Sequence, residues 1–167
     1  MRGLSLLLGV CGAIAAALAW QALMSLLPPD PAGSSMAVRL GRGCAALLPA
    51  AGVLALMLLA QMALRFVAGA IDPLAGRDGR WLLVNQRVIT NTVEQMAVFA
   101  PALLALAAGV SAARMAEVTA AGLVFAGARL LFWAGYLAAP LGRSFGMAAT
   151  LTTTLATLGA AAWVWTR

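Results

Sequence analysis

The sequence predicts an all-α integral membrane protein with five membrane-spanning helices. Two observations carry this. Of 167 residues, 63% are hydrophobic and 10% are charged, with a mean hydropathy of +0.97, whereas a soluble domain is about 45–50% apolar. The apolar residues also fall into five runs, each near the roughly 20 residues needed to cross a bilayer. Short stretches rich in Pro, Gly and Arg separate them, and none is polar enough to form a soluble domain of its own.

The first run is Leu4–Leu27, which stops at Pro28-Pro29-Asp30-Pro31 because proline cannot continue a helix. Arg2 and the small-residue site Ala17-Leu18-Ala19 also suit a signal peptide. The apolar run continues past that site to Leu27, too long for a signal core, so a retained helix is expected. Residues Pro28–Gly43 read as a loop carrying Arg39 and Arg42. The second span runs from Cys44 to Ala70, interrupted by Pro49, Gln61 and Arg65. A loop over Ile71–Asn85 follows, with Trp81 as an interfacial anchor. The third span is Gln86–Gly109, the fourth Val118–Ala139 ahead of Pro140, and the fifth Ser144–Trp165, closing on Trp163, Trp165 and Arg167. Residues 1–43 form an additional helix and loop, and residues 44–167 the main four-helix unit. With the N-terminus inside, Arg2, Arg65, Arg77, Arg80, Arg87 and Arg143 lie inside and Arg39, Arg42, Arg114 and Arg167 outside, a modest positive-inside bias.

The residue inventory excludes some chemistry. All 11 basic residues are arginine, and there is no lysine or histidine. A Schiff-base lysine, a histidine-based triad and a histidine-ligated metal are therefore ruled out, and no metal site is expected. A net charge of +6 suggests nucleic acid in a soluble protein, but here the arginines stand singly at span ends and inside spans. They read as topology and site residues, with no nucleic-acid partner. Cys11 and Cys44 fall at different depths and form no CxxC pair, so they read as small apolar residues.

The informative stretch is Arg87-Val88-Ile89-Thr90-Asn91-Thr92-Val93-Glu94-Gln95. At roughly 100° per residue, Arg87, Asn91 and Glu94 lie within about 60° of one another on a helix. A carboxylate inside a membrane span is costly unless paired or functional. At roughly 1.5 Å per residue, Glu94, Arg129 and Gln61 lie about 12–13 Å from the same side, with Thr150, Thr152, Thr153 and Thr154 at about 9–15 Å. One expectation is structural: a buried Glu94–Arg129 ion pair, with Asn91, Gln61 and the threonines completing a packing network. The other is functional. Arg129, Phe132/Trp133, Tyr136 and Arg143 share one helical face if Pro140 bends rather than ends the helix. Arg87, Arg129 and Arg143 would then exceed what one glutamate can neutralise, which suits an anionic ligand bearing carboxylates.

These residues resemble the membrane-associated proteins in eicosanoid and glutathione metabolism, the MAPEG family. Arg87-x-x-x-Asn91-x-x-Glu94 opens a span, and Ala128-Arg129 … Gly135-Tyr136 … Arg143 follows with the arginine seven residues after the tyrosine. The resemblance covers roughly Ala45–Arg167. It implies a four-helix subunit in a homotrimer, with glutathione as co-substrate between neighbouring subunits near the cytosolic face. On this resemblance Arg87, Asn91 and Glu94 hold the peptide together with Tyr136 and Arg129, and Arg65 reaches it more loosely. Arg143 is the catalytic residue that stabilises the thiolate, in keeping with the lowering of a thiol pKa by a nearby guanidinium. The partners implied are the bilayer and an apolar electrophile, and the location a bacterial inner membrane with the site toward the cytoplasm. Three features depart from the family pattern: the span Leu4–Leu27, Phe132 where several glutathione-binding members carry tyrosine, and Gln95 where some carry an aromatic residue. The function implied is a glutathione-dependent transferase or peroxidase. A non-catalytic lipid- or partner-binding member of the same fold is the first alternative, and an unrelated small membrane protein with a structural Glu94–Arg129 pair the second.

Overall fold

A computed structural model of the chain describes residues 2–28, 35–70, 72, 76, 78–139 and 141–167. It contains α1 (Arg2–Leu26), α2 (Met36–Ala68), α3 (Arg80–Gly109), a short 3-10 turn (Ala112–Arg114), α4 (Met115–Ala138) and α5 (Arg143–Trp165). All five α-helices are long and apolar enough to cross a membrane. The protein is an all-α integral membrane protein.

Two helices start well before their apolar runs. α2 begins at Met36, where Ser35 accepts a hydrogen bond from the Val38 amide in an N-cap. A capping side chain satisfies one of the amides that a helix start leaves open, so the helix carries Arg39 and Arg42 beyond the apolar window. α3 begins at Arg80, so Trp81 stands in its first turn beneath the Arg80 guanidinium. α2 ends at Gly69, whose φ of 63° is the left-handed cap conformation that glycine adopts freely. Arg77 and Pro140 lie outside the described residues, as do Pro29, Asp30 and Pro31.

Helices α2 to α5 form the bundle. α4 packs against α2, α3 and α5, α2 lies along α3, and α3 also meets α5. The core between α3 and α4 is anchored by Phe99 stacked on Phe125, ring centroids 4.0 Å apart. Met57, Leu103, Leu106 and Val118 complete it, all with no exposed surface. α1 lies outside the bundle along α5, with a lesser contact to α4. Only 11% of its most apolar stretch is buried, against 56% for α4, so α1 is a peripheral helix and α4 the central one. Ser5 of α1 meets Ser144 of α5, each in the first turns of its helix. The two helices therefore run parallel, and the ends bearing Arg2 and Arg143 lie together.

The expected single polar layer is not present. Thr150, Thr153 and Thr157 donate to the carbonyls of Gly146, Ala149 and Thr153 on their own helix, the usual outlet for a buried helical hydroxyl. Gln61 joins a separate cluster: Asn85 Nδ2 donates to Gln61 Oε1 at 2.8 Å, and Gln61 Nε2 lies 3.4 Å from Gln86 Oε1. Neither group reaches Arg129.

Candidate functional site

Three helices converge on one open cleft of about 430 Å³. α3 contributes Arg87, Thr90, Asn91 and Glu94, on the shared face that their spacing dictates. α4 adds Phe132 and Tyr136, and α5 adds Arg143, Ser144 and Met147. The two stretches singled out in the sequence thus meet at one place.

Arg143 reaches the cleft by a reversal of the chain, not by the bend in α4 that would have put it on the Tyr136 face. α4 ends at Ala138, and Arg143 is the first residue of α5 rather than a continuation of α4. The chain reverses within four residues, yet the Arg143 guanidinium donates to the Tyr136 hydroxyl at 2.9 Å and lies 5.0 Å from the ring centre. Close packing makes this possible. A Cβ at Gly146 would collide with the Phe132 backbone of α4, and one at Gly135 with the Gly142 carbonyl. Glycine lets the two backbones touch.

Arg129 is not in the cleft. It is fully buried behind the α3 wall, with 0% exposure. Its Nε and NH2 groups donate to Thr92 Oγ1 at 3.2 and 2.7 Å, and NH1 donates to Asn91 Oδ1 at 3.2 Å. The Phe132 ring covers its guanidinium at 4.2 Å. Thr92 Oγ1 can accept twice because its own proton goes to the Val88 carbonyl at 2.7 Å. The expected Glu94–Arg129 ion pair does not form. Glu94 is exposed and, among the described residues, accepts only from Asn91 Nδ2, at 3.4 Å. Asn91 therefore links the two, taking a hydrogen bond from the buried arginine and giving one to the cleft carboxylate.

Arg65 also stands apart from the cleft. It pairs with Asp78 through two hydrogen bonds of 3.2 and 3.0 Å and caps the Ala70 carbonyl. It thus ties the end of α2 to the loop before α3.

Three charged groups of the cleft have hydrogen-bonding capacity unspent among the described residues. Arg87 is exposed with no hydrogen bond among the described residues, Glu94 is held by one long bond, and Arg143 is exposed with only Tyr136 as partner. Two guanidiniums and one carboxylate leave an excess of positive charge. Met147 and the Phe132 edge supply the apolar side.

A family model for the MAPEG family matches residues 43–163. The chain belongs to this family. The match takes in all four helices of the MAPEG bundle apart from the first turns of α2 and the end of α5, and it contains every charged residue of the cleft. α1 precedes it. No curated protein and no solved structure matches the chain significantly. MAPEG membership places the protein among membrane proteins of eicosanoid and glutathione metabolism.

Several cleft and wall residues escaped the sequence reading. Thr92 is the main acceptor of Arg129, and it stands inside the Arg87–Gln95 stretch, one residue after Asn91. Its neutral hydroxyl drew no notice because a buried arginine suggests a carboxylate. Thr90, Ser144 and Met147 line the cleft by standing one to four residues from motif positions. Only a three-dimensional placement separates them from their lipid-facing neighbours.

Proposed function

We propose that the protein binds glutathione in the α3–α4–α5 cleft and presents its thiolate to lipophilic electrophiles, as a transferase or peroxidase. The observation that carries this is the meeting of Arg87, Asn91 and Glu94 with Tyr136 and Arg143 in one cleft. The free charges complement the ligand. Arg87 takes a carboxylate of the tripeptide, Glu94 its ammonium group, and Asn91 a peptide unit. Arg143 faces the sulfur with the Tyr136 hydroxyl beside it. A guanidinium there favours the thiolate over the thiol, and the thiolate is the nucleophile. A volume of about 430 Å³ lies within the roughly 300–1,000 Å³ of small-molecule sites.

Arg129 serves as a positioning residue, since it orients the Asn91 amide from behind. A homotrimer is part of the proposal. Arg87 and Glu94 are exposed on a membrane-length helix, and charged groups facing lipid are costly, so a neighbouring copy covers them. Arg65 lies outside the cleft of its own subunit, and any contact with glutathione is made at a neighbour's site. With the N-terminus inside, the cleft opens to the cytoplasm. Phe132 favours a second function, non-catalytic binding of a lipid or partner, because it brings no hydroxyl to the ligand and covers Arg129 instead.

The test is conjugation of glutathione to a generic aryl halide by the purified protein. Wild type turns over, and Arg143→Ala loses most of the rate while the oligomer stays intact. A wild type that neither conjugates nor binds glutathione contradicts the proposal.

A further inference from the structure

The function proposed above makes no use of α1, which lies outside the matched family segment. Its position is nonetheless specific. Ser5 Oγ lies 2.8 Å from Ser144 Oγ, the one side-chain hydrogen bond from α1 to another helix among the described residues. Ser144 lines the cleft and directly follows Arg143. Two turns further along α1, Gly12 lies against the Phe145 carbonyl so closely that a Cβ would collide with it.

We infer that α1 is a positioning element for Arg143, acting through the Ser5–Ser144 hydrogen bond and the Gly12–Phe145 contact. The first turn of α5 needs such support. Its N-cap is Gly142, and no side chain caps it. The Ser144 amide is met only by a turn bond to the Leu141 carbonyl at 3.1 Å, and a helix start without a side-chain cap frays easily. Arg143 is the first residue of that turn, so fraying would move its guanidinium directly. On one flank the turn is held by α4, where Gly146 meets the Phe132 backbone. On the other flank it is held by α1. Arg143 is thus gripped between the central helix and the peripheral one, and its guanidinium stays within 2.9 Å of the Tyr136 hydroxyl. Misplacement of a catalytic group by about 1 Å can lower a rate on the order of 100-fold, so a helix that touches no ligand can still set the rate.

Tyr136 offers a direct readout, because it is the only tyrosine in the chain. Isotope-labelled tyrosine in the full-length protein gives one set of ring signals by NMR, read without any ligand. Ser5→Ala should move that signal toward its position in Arg143→Ala, and Ser5→Thr, which keeps the hydroxyl, should restore it. Gly12→Leu, which wedges α1 off Phe145 with Ser5 intact, should reproduce the shift. The kinetic consequence rests on the glutathione function proposed above: kcat of Ser5→Ala falls about fivefold, the effect of one lost hydrogen bond, with the glutathione KM unchanged. A Tyr136 signal unmoved in both Ser5→Ala and Gly12→Leu overturns the inference. A signal that responds in a protein that binds no glutathione upholds the positioning role of α1 and removes the glutathione function instead.

Discussion

Arg129 and Arg143 sit at the same end of the bundle, on either side of the Phe132–Tyr136 turn, and their surroundings are opposite. Arg129 is sealed from solvent, with Thr92, Asn91 and the Phe132 ring occupying its guanidinium. Arg143 is exposed, with the Tyr136 hydroxyl as its only hydrogen-bond partner among the described residues. An arginine inside a membrane span is costly and therefore suggests function. On the proposed reading, the unspent hydrogen-bonding capacity of the group, rather than its depth, separates the site residue from the structural one. Arg129 builds the wall, and Arg143 keeps the unspent donors that its proposed role at the thiolate requires.

Substitutions at four positions probe that division, in order of expected effect. Arg143→Ala should lower the glutathione conjugation rate about 100-fold, the usual loss when one charge-stabilising donor is removed. Its effect on thermal stability should stay within about 0.5 kcal/mol, as for an exposed residue. Arg129→Ala should do the reverse in thermal melting, destabilising by about 3 kcal/mol because it opens a void and strands buried acceptors. Arg129→Met, which keeps the volume, should lose less. If Arg129→Ala melts like wild type, the wall is not what holds α3 to α4.

Glu94→Gln should weaken glutathione binding about tenfold, the effect of one charge-assisted hydrogen bond. Its melting should change by less than about 1 kcal/mol, since Glu94 is exposed on a single long bond. A large stability loss with unchanged affinity would return Glu94 to a packing role. Asp78→Asn should have the smallest effect. The Arg65–Asp78 pair is partly exposed at 22% and 14%, and such pairs contribute at most about 1 kcal/mol. Differential scanning should show a small, salt-dependent shift with the conjugation rate unaltered.

Much of this was legible in the sequence, for identifiable reasons. Apolar runs expose spans directly, and all five are present. Their starts were misplaced where polar residues extend the helix beyond its apolar run, as at Met36 behind the Ser35 cap and at Arg80, which no side chain caps. The shared face of Arg87, Asn91 and Glu94 follows from helical spacing alone. The partners did not follow. Charge matching suggested Glu94 for Arg129, but the neutral Thr92 hydroxyl lies closer and has lone pairs to spare. Depth matching grouped the threonines of α5 with that layer, although a helical threonine can satisfy itself on the carbonyl four residues back. The helix break ahead of Arg143 follows from Pro140, but spacing placed Arg143 beside Tyr136 only if the helix bent there, because one-dimensional spacing cannot distinguish a continued helix from a tight reversal that brings the residue back to Tyr136.

The most direct test of the site is a glutathione titration followed by the ultraviolet absorbance of the thiolate, in wild type and in Arg143→Ala. Wild type should show saturable binding with a thiolate signal at neutral pH, and Arg143→Ala should bind glutathione with that signal lost. No saturable binding by wild type, or a thiolate signal that persists without Arg143, would contradict the assignment of the cleft and of the residue that acts in it.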